Sequence, residues 1–448
     1  MDSGITTSYR PRIIDDQIEH MLSKIGAIHL KGPKWCGKTT TAERHSKSAL
    51  RLQNPLDPRN YEEIAKINLK LLLEGETPRL IDEWQTIPEI WNGVRAMVDL
   101  RKVYGQYILT GSSSPIYMPA EKNHSGAGRI ATLNMRTMSL FESGDSSGAV
   151  SMRSLFDPDT VLESESRLEI EDIARLIVRG GWPSSIVNNI EDGETVGWYC
   201  DAILNSEITI DGKRRNREKM ERLLRSLSRN ISTGANNTTI LRDMTGDDEL
   251  PIGDASDEDA WIDENTARAP MNRDTLRDYI SILKSICLIE DSPAWMPKLR
   301  SETCIRTSDT RYLTDPSIGA YFLGTSADDL LYDPETMGLL FENMVVRDLR
   351  VYAESIGGTV KHYRDKSGLE VDSIVHLNNG QWGAIEIKLS SRNAKSGVKN
   401  LLRLKERVDA EERNKLSFLA VITGDGYAYT DVSNGQRIHM IPIGCLRN

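Results

Sequence analysis

The period of apolar and polar positions changes several times along the chain, and the changes divide it. In the first third, short apolar runs alternate with amphipathic ones. GAIHLKG at 26–32 reads as a strand followed by a helix from Thr39. PRLIDEW at 78–84 is a second strand, followed by a helix through IPEIWNGVRAMVDLR, and QYILTGSSS is a third. Strands alternating with helices predict a mostly parallel sheet flanked by helices. Residues from about 165 to 235 follow helical spacing, with the breaker GGWP at 180–183 between helices. MERLLRSLSRNIS and NRDTLRDYISILKSICLIED are helical in period, and extended segments near CIRTSD and RYLTD follow. Helices followed by a short β-wing predict a winged-helix module, which can bind DNA or pack on protein. From about 335, the helix GLLFENMVVRDLRVYAES precedes three strand candidates, the helix SGVKNLLRLKERVDA and the final strand LSFLAVIT.

Length and composition sharpen this division. A chain of 448 residues is too long for one hydrophobic core, and 39% hydrophobic with 27% charged residues is the balance of an ordinary folded protein. The net charge of −10 excludes a protein that coats nucleic acid by bulk electrostatics, so any such partner needs a local basic surface. KRRNREKMERLLRSLSR at 213–229 is a candidate, with a solvated helical face as the alternative reading. DDELPIGDASDEDAWIDEN at 247–265 reads as an exposed acidic insertion. Cys36, Cys200, Cys287, Cys304 and Cys445 form no CxxC pair and have no histidine at ligand spacing, which argues against a structural zinc and against a disulfide scaffold. The start has no apolar signal-like stretch and no run approaches about 18 apolar residues, so the expected setting is cytoplasmic, without membrane contact.

GPKWCGKT at 32–39 satisfies G-x-x-x-x-G-K-[ST] between a strand and a helix. Gly32 and Gly37 let the backbone wrap phosphates while N–H groups and the helix N-terminus face the anion. Gly32, Pro33, Lys34, Trp35, Cys36, Gly37, Lys38, Thr39 and Thr40 are therefore the expected nucleotide-binding residues. Lys38 would reach the β- and γ-phosphates, and Thr39 would hold Mg²⁺. LIDEW ends a strand in two acids, where Asp82 can orient the metal and Glu83 can polarise the attacking water. One of Thr110, Ser112 or Ser113 could sense the γ-phosphate. Arg129 is a candidate for a transition-state arginine, in cis or from a neighbouring subunit, with Arg95 and Arg136 competing. His29, inside the first strand, reads as a packed residue.

At the far end, EVDSIVHLNNGQWGAIEIKLS at 370–390 offers a second constellation. Residues two apart on a strand share a face, so Glu386 and Lys388 project together. The Asn379-Gly380 pair favours a tight turn that could bring Asp372 beside Glu386. Two carboxylates and a lysine are the groups that metal-dependent phosphodiester hydrolysis needs, and Glu342 on the preceding helix could supply a third acid. Arg364 and Glu370 are secondary candidates for phosphate contact and metal support; surface ion pairing is the alternative.

GPKWCGKTT, RLIDEW, YILTGSSSP, AGRI, SLFE and GGWP together resemble the predicted AAA-type P-loop ATPases of bacteria and archaea that carry a C-terminal domain of uncharacterised function. The likeness spans essentially the whole chain. It implies an α/β protein with an AAA-type ATPase domain over 1–165, a helical and winged-helix domain over 166–330 that carries the insertion 247–265, and a restriction-endonuclease-like domain over 331–448. Asp372, Glu386 and Lys388 are similar to the D…(D/E)xK signature of PD-(D/E)XK nucleases, with Val371 where that name has proline. The implied activity is ATP hydrolysis with Mg²⁺, joined to Mg²⁺-dependent action on nucleic acid, DNA favoured. The alternative is a nucleotide-dependent switch or assembly module whose last domain binds DNA or protein without cleavage. An arginine supplied between subunits makes a homo-oligomer an expected form.

Overall fold

Alternate residues of the first strands face opposite ways, and each set has its own core. In the computed structural model, which describes residues 9–111, 128–207, 209–210, 213–214, 216–245, 271–297, 309–432 and 435–448, the first sheet contains β1 (Ala27–Lys31), β2 (Ser48–Arg51), β3 (Arg79–Asp82), β4 (Tyr107–Gly111) and β5 (Ile130–Asn134). Its order is β2-β3-β4-β1-β5, with every neighbouring pair parallel. Ile28, Leu30, Leu80 and Ile108 pack on one face with Ile14 and Ile18 of the helix Ile14–Leu22, and with Cys36 and Ala42. Ala27, Ile81, Tyr107 and Leu109 pack on the other with Trp84, Trp91, Val94 and Val98. Burial on both faces is why these strands read as continuous apolar runs.

The chain divides into two compact units, residues 1–138 with 285–287, and residues 139–284 with 288–448. The first boundary therefore falls well before the expected 165. The cause is visible in the second unit: β6 (Val150–Ser151) pairs with the last strand, and β7 (Glu163–Glu165) adds to the edge of the C-terminal sheet. Residues 139–284 and 288–448 belong to one compact unit.

The second unit begins with helices Ile170–Arg179, Pro183–Asn188 and Glu194–Ala202, then a two-residue hairpin of β8 (Thr209–Ile210) and β9 (Lys213–Arg214). Helices Arg217–Arg229, Asn237–Thr245 and Arg273–Ser285 follow, then the antiparallel ribbon of β10 (Ile289–Ser292) and β11 (Thr310–Leu313). The acidic insertion, Cys304 and most of CIRTSD lie outside the described residues. Arg217–Arg229 buries Met220, Leu223, Leu224 and Leu227, and three of its five cations pair locally: Arg217 with Asp201, Arg222 with Glu218, Arg229 with Asp243. These three pairs favour the solvated-face reading of the basic segment.

After Pro316–Leu323 and Ala327–Tyr332, the 22-residue helix Pro334–Ser355 leads into β12 (Gly358–Arg364), β13 (Glu370–Leu377) and β14 (Trp382–Lys388). The helix Ala394–Arg407 then crosses to β15 (Leu416–Thr423), with β16 (Tyr427–Asp431), β17 (Ile438–Pro442) and β18 (Leu446–Arg447) after it. The sheet order is β12-β13-β14-β15-β17-β16-β7, antiparallel over β12 to β14 and parallel from β14 through β15 to β17. Val398, Leu401 and Leu404 seat the crossing helix on Val371, Ala384, Leu419 and Val421.

Two signature strings in this unit have a structural meaning. SLFE is a capping box: Ser139 accepts from the Glu142 backbone N–H, and Glu142 accepts from that of Ser139 at 2.8 Å. In GGWP, Gly180 holds φ +70°, and a Cβ there would lie 2.4 Å from the Ser317 hydroxyl. The Gly181 N–H donates to Asp315 at 2.9 Å, the Trp182 indole donates to Ser317 at 3.0 Å, and Pro183 opens the next helix.

Candidate functional site

In the first unit, the loop Gly32–Gly37 joins β1 to the helix Lys38–Arg44 at the C-terminal edge of the parallel sheet, where ligands of open α/β folds bind. Gly32 has no room for a side chain, since a Cβ would stand 2.1 Å from the Met135 carbonyl oxygen. Gly37 holds φ +99° and Trp35, half-exposed, +64°. Lys38 is buried and donates to the carbonyls of Gly32 (3.0 Å) and Pro33 (2.7 Å), folded back over the loop. Pro33 and Cys36 are buried, Lys34 is partly so, and Thr40 is exposed in the helix's first turn.

Thr39 donates to Asp82 Oδ1 at 2.8 Å, and Thr110 donates to the same oxygen at 2.5 Å. Thr110 reaches it because β4 lies between β1 and β3. A hydroxyl and a carboxylate thus converge beside the loop, a donor set that suits Mg²⁺. Ser112 and Ser113 lie outside the described residues. Glu83 follows with φ 56° and ψ 47°, a left-handed conformation uncommon outside glycine and enriched at functional sites. Burial pushes its carboxyl above the ordinary range, against the pull of Lys38. Trp84, fully buried, anchors the turn.

The three candidate arginines and His29 lie in different places. Arg129 precedes β5 at the opposite end of the sheet from the loop, where it pairs with Asp99 at 2.8 Å, so it does not serve the phosphate loop of its own chain. Arg95 is mid-helix in Glu89–Arg101, and Arg136 follows β5 on the loop's side. His29 is packed edge-on against Trp84 and Trp91, with ring centroids 5.7 and 5.6 Å away, and burial drives its pKa down to about 3, so it is neutral.

Two residues near the loop were not singled out from sequence. The Gln85 amide donates to Glu83 Oε2 at 2.5 Å. Arg12 donates to the carbonyls of Cys36 (3.0 Å) and Arg136 (2.9 Å), bracing the loop from below. Gln85 stands two residues from a flagged acid and could have been found; nothing in the sequence around Arg12 signals its role.

In the second unit, β13 and β14 pair with Ser373 opposite Ile385, and continuing that register sets Asp372 opposite Glu386. The turn between them carries Gly380 at φ +90°. Asp372 and Glu386 point to one side, and Lys388 Nζ lies between them, 3.3 Å from Asp372 and 2.7 Å from Glu386. Asp372 also accepts from the Ile387 N–H at 2.7 Å, and Asn400 donates to Glu386 at 3.3 Å. Burial, then Asp372, raises the Glu386 pKa. Burial opposes the Lys388 ammonium, but the two carboxylates outweigh it and hold the amine charged.

The expected three-carboxylate metal set is not assembled. Glu342 accepts from the buried Tyr312 hydroxyl at 2.8 Å, and burial, then Asp372, pushes its carboxyl well above the ordinary range. Among the described residues no group of three or more His, Cys, Asp or Glu is placed to hold a metal ion. The cation between Asp372 and Glu386 is the lysine itself. Arg364 pairs with Glu370 at 3.0 Å on the surface, the alternative reading of both.

Residues 25–143 match the AAA domain family, so the front of the chain carries a mixed α/β AAA-type P-loop domain. Residues 170–329 and 337–446 match two domains of unknown function, DUF8612 and DUF4143. No curated protein matches the chain. Solved structures similar to it include the replication initiator DnaA bound to AMPPCP and single-stranded DNA, at 14% identity over 55% of this chain and 84% of that one, with a TM-score of 0.26. A DNA replication initiation factor follows at 11%, 61%, 92% and 0.22. Cdc6p from Pyrobaculum aerophilum gives 12%, 75%, 97% and 0.23. Likenesses at such TM-scores carry no weight for fold or function. Among the described residues no helix is long and apolar enough to cross a membrane.

Proposed function

We propose that the protein binds and hydrolyses ATP at the Gly32–Thr40 loop and acts on nucleic acid through a PD-(D/E)XK-type C-terminal domain. The observation that carries the first half is the convergence of Thr39 and Thr110 on one oxygen of Asp82, beside the loop lysine. Lys38 leaves its two carbonyls for the β- and γ-phosphates, and Thr39 and Asp82 hold the metal. Mg²⁺, when bound, neutralises charge on the phosphate oxygens. Glu83 polarises the attacking water, and its raised pKa makes it a stronger base.

The second half is supported by the succession of Pro334–Ser355, β12, β13, β14, Ala394–Arg407 and β15, and by the meeting of Asp372, Glu386 and Lys388. Asp372 and Glu386 would hold the metal, with Lys388 positioning the nucleophile. The three helices and the ribbon β10–β11 favour a winged-helix reading of the middle segment.

One observation favours a second reading. Lys388 neutralises the two carboxylates from between them, an arrangement that suits a switch whose C-terminal domain binds without cutting. ATP turnover, with plasmid and single-strand cleavage in Mg²⁺ or Mn²⁺, decides between the two. We expect Lys38→Ala to abolish turnover and Asp372→Ala to abolish cleavage. Turnover that survives Lys38→Ala sinks the ATPase half; a wild-type protein that does not cut, or cuts no differently from Asp372→Ala, sinks the nuclease half.

A further inference from the structure

We infer that a cleft beside the helix Ala394–Arg407 binds single-stranded nucleic acid. The inference rests on the nucleic-acid reading above for its partner class, and its location is separate from the carboxylate centre. The cleft encloses about 660 Å³, with Arg392, Lys395, Lys399 and Arg403 along one side and Tyr429 and Asp431 of β16 among the residues opposite.

Lys395, Lys399 and Arg403 are four residues apart, so they stand in one row, each about 6 Å further along the helix at 1.5 Å per residue. That step is comparable to the phosphate-to-phosphate step of an extended strand. The opposite face of the helix is committed to the core through Ala394, Gly397, Val398, Leu401 and Leu404. The four cations are exposed and have no ion-pair partner among the described residues, in contrast to Arg217, Arg222 and Arg229. Four cations against the two lining acids, Glu406 and Asp431, give 4 − 2 = +2 in the cleft, on a chain whose net charge is −10.

The aromatic partner decides the class. Tyr429 is 48% exposed and lines the cleft, although an exposed aromatic ring is poorly placed for packing. A cationic groove with an aromatic platform is the means by which proteins hold single strands, phosphates on the cations and a base on the ring. An acidic peptide would meet the cations and leave the ring unused. In a duplex the bases stack on one another and leave no face for the ring.

The test is fluorescence anisotropy on the full chain with labelled 20-mers of dT and U, in EDTA and without ATP, across a salt series. Four phosphate contacts predict a slope of log K against log salt of about −2.8, at about −0.7 per contact. Lys395→Ala/Lys399→Ala/Arg403→Ala should bring the slope toward about −0.7 and weaken binding at least tenfold at low salt, with ATP hydrolysis unchanged. Tyr429→Ala should weaken binding at least about fivefold with the slope unchanged. The two oligonucleotides tell DNA from RNA. The inference is overturned if neither oligonucleotide binds, if the triple variant binds as the wild type does, or if polyglutamate binds equally well. Binding in EDTA needs no cleavage, so a protein that binds through the cleft and never cuts sinks the nuclease proposal alone. Cleavage that depends on Asp372 beside an unaffected triple variant sinks this inference alone.

Discussion

Replacing Arg347 with methionine removes the cation that bridges two buried carboxylates in the second unit. The guanidinium stands 3.0 Å from Asp315 and 2.8 Å from Asp348, and both acids are fully buried. The N–H groups of Gly181 and Ser317 and the Ser317 hydroxyl on Asp315, and the Leu140 N–H and Tyr352 hydroxyl on Asp348, satisfy hydrogen bonds but carry no counter-charge. Breaking a buried pair by removing one member costs about 3–5 kcal/mol.

The pH dependence makes the reasoning specific. Burial, opposed by Arg347, already sets the Asp348 pKa at about 6 against an ordinary 3.8. Because its folded pKa lies above the unfolded one, Asp348 contributes stability that is fully present below about 3.8 and is lost as pH rises through 6. Without Arg347 the folded pKa rises further, so the variant can escape the buried charge by protonating Asp348. The wild type already holds Asp348 largely protonated at pH 5, so keeping it protonated in the variant adds a deficit only above 6, about 1.4 kcal/mol for each pH unit, hence about 3 kcal/mol at pH 8 and almost none at pH 5. The deficit of Arg347→Met that this group supplies should therefore be about 3 kcal/mol at pH 8, the lower end of the broken-pair range, and close to zero at pH 5. Asp348→Asn in the same chain should recover part of it at pH 8. The assay is urea unfolding of the full chain followed by tryptophan fluorescence, with Trp182 reporting because its indole bonds Ser317 within this cluster. A deficit below about 1 kcal/mol at pH 8, or one equal at both pH values, would refute an uncompensated buried charge.

Gln85→Ala releases Glu83 from its amide; we expect kcat for ATP hydrolysis to fall about tenfold or more with KM changed less than about twofold, and a loss confined to KM would show that Gln85 does not orient the base. Arg12→Ala frees the carbonyls that its guanidinium braces, and a hydrogen bond to a charged group contributes about 1.5–3 kcal/mol, so the Kd of a fluorescent ATP analogue should rise by about tenfold to a hundredfold; an unchanged Kd would mean that the loop keeps its shape unaided.

These variants mark where sequence stops being informative. The phosphate loop, LIDEW and the first strands were legible because their chemistry depends on neighbours in the chain: glycines fix the turn, and apolar runs fix the strands. Gly180 and Ser139 were visible only as strings. Their partners Asp315, Arg347 and Asp348 lie far along the chain, and the signal available was a weak one, polar residues inside the otherwise apolar helix FENMVVRDLRVY. Arg129 lies away from the loop of its own chain, because a glycine-arginine string does not say which end of a parallel strand it occupies. The start of β5 lies at the edge away from the loop.

The two metal-site expectations separate for a similar reason. Thr39 and Asp82 are short side chains at the ends of neighbouring elements, so knowing the elements nearly fixes where their oxygens lie, and they meet at 2.8 Å. Asp372 and Glu386 obey the same rule, since the hairpin register alone sets them opposite each other. Lys388 does not, because a four-carbon stem lets one backbone position serve many places for the amine. Alternation predicted that it shares a face with Glu386; that its ammonium lies between both carboxylates is an electrostatic outcome, two partly buried anions drawing in a nearby cation. A divalent cation would have to displace that ammonium, so the residue that makes the signature similar to a nuclease is also the one a metal must move.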